Sequence, residues 1–196
     1  MEKVNWSIDT SHSEIGFKIR HLMISYVKGL FKKFDAKIET LGNDFSTASV
    51  DLWIDADSID TGDEKRDEHL RSVDFFDTKN YQNISFKSTS LKEIKERHFE
   101  LSGDLTIKEI TKPVKLTAEF GGLMKDPWGN QKAGFTITGK INRKDWDLIW
   151  NNSLENSGVM LGEEVLINCE IQLIRNNEKN KEMQAEASEE EGVTVA

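Results

Sequence analysis

Between Val4 and Leu173, apolar and polar residues alternate with a period of two in one segment after another. Clear examples are the runs from Ala48 to Ala56, from Phe99 to Ile107 and from Val165 to Leu173. Because successive side chains of a β-strand point to opposite faces, this alternation indicates strands with one apolar and one polar face. The chain is therefore predicted to be an all-β domain of about eight or nine antiparallel strands.

A sheet with this many strands and one face in water has to curl or to split into two layers. Closure into a barrel removes its exposed edges. The alternation alone leaves a sandwich with a packed, dry core equally open, because sandwich strands alternate in the same way.

Two segments break the alternation. The segment from His21 to Tyr26 predicts a short helix or turn between strands. The segment from Asp63 to Val73 is rich in charged helix formers and predicts a helix, with acidic residues in its first turn. A third, polar segment from Asn142 to Asp147 predicts a turn shaped by Asn and Asp side chains.

The chain has 196 residues and a formal net charge of −9. This length supports a single core, which we assign to residues 1–175, followed by an acidic, disordered tail at 176–196. An acidic chain is a poor partner for nucleic acid. No apolar run is long enough for a membrane span, and the N-terminus has no signal-peptide pattern, so we expect a cytoplasmic protein unless a leader was removed. A homodimer is left open.

Catalytic and metal-binding motifs are not found. Cys169 is the single cysteine and alternates with apolar neighbours, which predicts a buried, inert thiol. The four histidines form no zinc-binding pattern, and no nucleophile or nucleotide-binding motif occurs. We therefore expect no metal, no required cofactor and no catalytic residue.

Short motifs spread over residues 5–174 resemble those of one family. They are WSIDTSHSEIGF from Trp6, HLMIS from His21, RDEHLRS from Arg66, GDLTIKEITKPV from Gly103 and NRKDW from Asn142. Together they resemble the YceI-like polyisoprenoid-binding family. The resemblance implies a closed, lipocalin-like antiparallel β-barrel of about eight strands, with one or two short helices at its mouth and a deep apolar tunnel. It also implies that the tunnel binds a long-chain amphiphile such as a polyprenyl phosphate or an isoprenoid quinone.

From this resemblance and the alternation we expect non-catalytic binding, carrying or sequestering of a polyisoprenoid. The apolar residues predicted to line the tunnel are Phe17, Ile19, Leu22, Met23, Val27, Phe31, Phe34, Leu52, Ile54, Leu70, Phe75, Phe76, Phe86, Leu101, Leu105, Leu116, Phe120, Phe135 and Ile137. Small residues on the same face, such as Ala48, Gly103 and Gly139, are predicted to leave volume for the lipid tail.

The lipid head group needs polar partners, and the two segments that break the alternation provide them. Arginine suits phosphate and histidine can donate to either head group, so His21, Arg66 and His69 are the head-group candidates. The alternative is a solvated helix with surface ion pairs. Leu22 and Met23 either form the mouth or simply cap the barrel.

Two other functions remain open. One is an enzyme that acts on an isoprenoid or another lipid within the same tunnel. The other is an interaction module, in which the acidic tail at 176–196 recruits a basic partner.

Overall fold

The structure, a computed structural model, describes residues 1–152 and 159–176. Within these ranges the chain forms eleven β-strands, one α-helix and three short 3₁₀ helices. The strands are β1 (Lys3–Ile8), β2 (Glu14–His21), β3 (Ser25–Phe31), β4 (Phe34–Leu41), β5 (Asp44–Asp55), β6 (Ile59–Asp60), β7 (Asn83–Lys95), β8 (His98–Ile107), β9 (Ile110–Lys125), β10 (Gln131–Asn142) and β11 (Leu161–Arg175). Helix α1 spans Glu64–Arg71, and the 3₁₀ helices span Thr10–His12, Ala56–Ser58 and Arg143–Trp146.

Eight of the described strands form a closed antiparallel ring in the order β1, β4, β5, β7, β8, β9, β10, β11, which returns to β1. The ring closes where Leu173, near the end of β11, lies opposite Ile8 of β1. A closed ring has no free sheet edge. The closed β-barrel predicted from the sequence is therefore confirmed, and the flat sandwich is excluded.

The other strands complete the wall beside β11. Strand β2 pairs with the N-terminal part of β11, β3 pairs with β2, and the two-residue strand β6 pairs with β3. Strands β3 and β4 are separated at Lys32 and Lys33. There the backbone N–H of Lys32 donates to the carbonyl oxygen of Ser58, which lies in a 3₁₀ helix, at 3.1 Å. Strand β3 pairs with β2 and β6, whereas β4 pairs with β1 and β5.

The segments that break the alternation lie together at one end of the barrel, where β2, β5, β8 and β10 end. We call this the helix end. A tight turn joins β2 to β3, with Leu22 and Met23 at φ values of 50° and 60°. Helix α1 lies within the segment predicted to be helical. The Asp63 carboxylate accepts the backbone N–H of Arg66 at 3.0 Å and so caps the first turn.

Aromatic residues pack the interior at the opposite end. The rings of Phe45, Phe120 and Phe135 lie with centroids 5.0 to 5.4 Å apart, and Trp6 lies 5.1 Å from Phe45. Trp6 is 2% exposed, and its indole N–H donates to Thr40 Oγ1 at 2.9 Å. The buried indole is thus satisfied, as a buried donor has to be.

The acidic tail predicted at 176–196 lies outside the described residues except for Asn176. The backbone N–H of Asn176 donates to the Asn5 carbonyl oxygen at 2.9 Å. Its side-chain oxygen accepts from Ser7 Oγ at 2.7 Å. These contacts hold Asn176, the residue after β11, against β1.

Candidate ligand-binding cavity

The barrel encloses a cavity of about 460 Å³, which is within the usual size range of small-molecule sites. The alternation along the strands builds its wall. On β5, every second residue from Ala48 to Ile54 faces the cavity, whereas Ser49, Asp51 and Trp53 between them are exposed. The period of two in the sequence therefore separates the cavity wall from the outer surface.

Most of the apolar residues predicted for the tunnel lie in this wall. They come from seven strands, from α1 and from the segment that follows it. These residues are Phe17, Ile19, Val27, Phe31, Leu52, Ile54, Leu70, Phe75, Phe76, Phe86, Leu101, Leu105, Leu116, Phe135 and Ile137.

Four predicted tunnel residues lie outside the cavity wall. The turn at positive φ directs Leu22 and Met23 outward, and their exposed fractions are 37% and 56%. Phe34 follows the break in the strand path and lies in a separate surface cleft beside Trp53. Phe120 belongs to the aromatic cluster with Phe45 and Phe135.

The wall also contains residues that sequence reasoning missed. Ile38, Phe45 and Ile84 lie on strands and line the cavity, and extending the alternation to the full strand lengths would have found them. Arg143 and Trp150 line it from the segment after β10, which has no periodicity to indicate a direction. Asn142 does shape the turn as predicted, since its side-chain oxygen accepts the backbone N–H of Lys144 at 3.0 Å.

Arg66 lines the cavity and is held in place by Thr61. Its Nε donates to Thr61 Oγ1 at 2.7 Å, and one terminal nitrogen donates to the Thr61 carbonyl oxygen at 2.9 Å. The buried Asp67 carboxylate in turn accepts from the backbone N–H of Thr61 at 2.9 Å and from its hydroxyl. These contacts orient the arginine. Arg71, one turn further along the helix, instead donates to the carbonyl oxygens of Asp57 and Ile59.

His69 and His21 also line the cavity. His69 Nε2 lies 2.9 Å from an Asp74 carboxylate oxygen. Its ring stands edge-on to Phe75 and Trp150, with centroids 5.1 and 4.6 Å away. All three head-group candidates are therefore at the helix end and reach one cavity.

Arg143 is the most buried charged residue in the cavity wall, with 2% of its surface exposed. Its Nε donates to the Gly162 carbonyl oxygen at 2.9 Å, and a terminal nitrogen donates to the Leu148 carbonyl oxygen. The other terminal nitrogen has no hydrogen-bond partner among the described residues. Burial lowers the pKa of the guanidinium, and the nearby charge of Glu163 opposes this effect.

The thiol of Cys169 lines the cavity. Burial raises the pKa of the Cys169 thiol to about 11, which keeps it protonated and unreactive at neutral pH. The described residues contain no group of three or more His, Cys, Asp or Glu side chains placed to hold a metal ion.

None of the helices in the described part of the chain has the length and apolar character needed to cross a membrane.

The sequence profile of the YceI-like domain matches residues 6–173, which is nearly the whole barrel. The chain belongs to the YceI-like family. A UPF0312 protein of Staphylococcus aureus (strain N315) is 44% identical over 162 residues, which cover 82% of this chain and 92% of that protein. The family resemblance inferred from the short motifs is thus confirmed.

Three solved structures have a similar fold. The Campylobacter jejuni YceI protein is 32% identical, with a TM-score of 0.70 over 86% of this chain and 96% of that one. Burkholderia cenocepacia BcnA is 22% identical, with a TM-score of 0.73 over 84% of this chain and 98% of that one. A polyisoprenoid binding domain from Saccharophagus degradans is 15% identical, with a TM-score of 0.67 over 87% and 98%. For BcnA and the polyisoprenoid binding domain, which are 22% and 15% identical, the similarity shows the fold alone.

Proposed function

We propose that this protein binds a long-chain isoprenoid amphiphile in the barrel cavity and carries or sequesters it without changing it chemically. The observation that carries the proposal is a cavity of about 460 Å³ with a mainly apolar wall inside a closed barrel. Burying a lipid tail there gains roughly 0.8 kcal/mol per CH₂ group, before the costs of ordering the ligand.

The distribution of polar groups supports an amphiphile rather than a simple hydrocarbon. His21, Arg66 and His69 all line the cavity at the helix end, and in the proposal they contact the head group. The name of the Saccharophagus degradans domain supports an isoprenoid as the tail. The head group is then that of a polyprenyl phosphate or an isoprenoid quinone.

Native mass spectrometry of the purified protein, followed by organic extraction, tests this function. We expect a bound species that is lost on denaturation and that is identified in the extract as a long-chain isoprenoid. Purified protein that carries no lipid, and takes up none from added geranylgeranyl phosphate or isoprenoid quinone, would contradict the proposal.

The alternative is an enzyme that acts on the same lipid, and one contact favours it: His69, which lines the cavity, has its Nε2 2.9 Å from a carboxylate oxygen of Asp74, which lies outside the cavity wall. Such a pair can act as a general base. However, the hydroxyl and thiol groups that could serve as nucleophiles in this wall are not activated, because the hydroxyl of Thr61 donates to Asp67 and the thiol of Cys169 stays protonated. Long incubation with geranylgeranyl phosphate distinguishes the two functions, because an enzyme releases a product of changed mass, whereas a carrier returns the lipid unchanged.

A further inference from the structure

The charges in the cavity wall are of one sign. Among the described residues that line the cavity, the charged or titratable polar side chains are Arg66, Arg143, His21 and His69, and no carboxylate is present. The chain as a whole carries a formal net charge of −9. The charge of the cavity wall is thus opposite in sign to the net charge of the whole chain.

The two arginines of the wall are not neutralised by ion pairs. Within the described ranges, neither Arg66 nor Arg143 has a carboxylate oxygen within 4.0 Å. Their side chains donate instead to Thr61 and to the carbonyl oxygens of Gly162 and Leu148. Arg71, outside the cavity, does have such a pair, with Glu64 Oε1 at 3.2 Å.

At Arg143 the absence of an ion pair is energetically unfavourable as long as no ligand is bound. The residue is 2% exposed, and one terminal nitrogen has no hydrogen-bond partner among the described residues. An arginine stays protonated even when buried. The charge of Glu163 acts on this guanidinium only from beyond 4.0 Å. A buried charge without a counter-charge in contact is unfavourable, and in a low-dielectric interior an anion in contact compensates it strongly.

We propose that the cavity selects amphiphiles with an oxyanion head, a phosphate or a carboxylate, because Arg143 and Arg66 supply unpaired positive charge at the helix end of an apolar cavity. This inference rests on the proposed function and narrows it. A neutral head group, such as an alcohol or a quinone, brings no counter-charge into contact with Arg143. An anionic head also forms the stronger, charge-assisted hydrogen bonds.

The test compares lipids that differ only in the head group. We expect isothermal titration calorimetry to show that the full-length protein binds geranylgeranyl phosphate at least tenfold more tightly than geranylgeraniol. A second pair, palmitate and hexadecanol, distinguishes a carboxylate from a phosphate as the preferred anion. Equal affinity for the members of both pairs would overturn the inference while leaving the proposed function intact. Failure to bind any of the four lipids would overturn both.

Substitutions of the two arginines test whether they are responsible for the preference for anionic lipids. In Arg143→Gln the preference for the anionic lipid falls about tenfold, while the affinity for geranylgeraniol stays within a factor of three. Arg66→Gln lowers the preference in the same direction and covers the case in which Arg143→Gln does not fold. Arg20→Gln is the matched control, since it removes an arginine that is exposed on β2 outside the cavity, and we expect it to keep the wild-type preference. Retention of the full preference in both cavity variants would overturn the assignment to these arginines.

Discussion

The ring of Phe86 on β7 lies directly over Gly103 on the neighbouring strand β8. A Cβ atom at position 103 would overlap the ring and would lie 2.6 Å from the carbonyl oxygen of Lys87. Gly29 lies beneath Phe17 in the same way. The expectation that Gly103 leaves free volume for a lipid is therefore corrected: the glycine provides the space that the aromatic ring fills.

This contact predicts that Gly103→Ala destabilises the protein. The clash involves backbone as well as a ring, so a change of rotamer does not relieve it, and overpacking of this kind costs roughly 1–3 kcal/mol. The free energy of unfolding in urea measures the effect. Gly134→Ala on β10 is the control, because no atom lies within 4 Å of the added Cβ, and it should change stability by less than about 0.5 kcal/mol. Equal effects of the two substitutions would contradict the packing described here.

A second prediction concerns the volume of the cavity. Ala48 lines the cavity on β5, whereas its neighbour Ser49 is exposed on the outer face. Ala48→Trp places an indole in the space proposed for the lipid tail, and we expect the affinity for geranylgeranyl phosphate to fall at least tenfold. Ser49→Trp adds the same side chain outside and should bind as the wild type does. Circular dichroism verifies that both variants are folded, and unchanged binding by folded Ala48→Trp would argue against the cavity as the binding site.

A third prediction concerns the thiol of Cys169. Burial raises its pKa from the ordinary value of 9.0 to about 11, so at pH 8 the thiolate fraction is lowered about a hundredfold. We expect iodoacetamide to modify the folded protein at least a hundredfold more slowly than the protein unfolded in urea. Bound lipid should slow it further, because Cys169 lines the cavity. Mass spectrometry follows the reaction, and rapid labelling of the folded protein would mean that this part of the wall opens readily.

A fourth prediction concerns Asp9, whose side chain is 9% exposed. Four side chains lie within hydrogen-bonding distance of its carboxylate: Ser11, Lys132, His12 and Gln172. Burial by itself raises the pKa of Asp9, but these hydrogen bonds outweigh burial and hold the pKa well below its ordinary value of 3.8. Because the folded-state pKa is lower than the unfolded one, the stabilisation is present above about pH 4 and is lost as the pH falls below that value.

We therefore expect Asp9→Asn to lower the free energy of unfolding by roughly 2–4 kcal/mol at pH 7. The difference from the wild type should shrink as the pH falls from 4 toward 2, as measured by urea unfolding at each pH. Glu39→Gln is the control, because Glu39 pairs with Lys3 on the surface and such pairs contribute about 1 kcal/mol or less. A deficit in Asp9→Asn that does not change with pH would show that its carboxylate is not stabilised as described.

Sequence reasoning was most successful where side-chain direction is a local property. A residue such as Leu52, two positions from Ile54 on one strand, shares its face whatever the rest of the chain does, so alternation placed both in the cavity wall. It failed for Phe34 and Met23, because a break at Lys32 and a turn at positive φ change the direction locally. It also failed for Arg143, because a 3₁₀ helix between strands has no period that indicates its inward face.

The sequence by itself determined that this chain forms amphipathic antiparallel strands, which residues of each strand share a face, and where helix α1 interrupts them. These properties follow from the period of two and from local propensities. The tertiary structure alone decided that the sheet closes, through the pairing of Ile8 with Leu173, and that three separate segments bring His21, Arg66, His69 and Arg143 to one cavity. Strand closure and the meeting of distant side chains depend on contacts between residues far apart in the chain, and no local pattern specifies them.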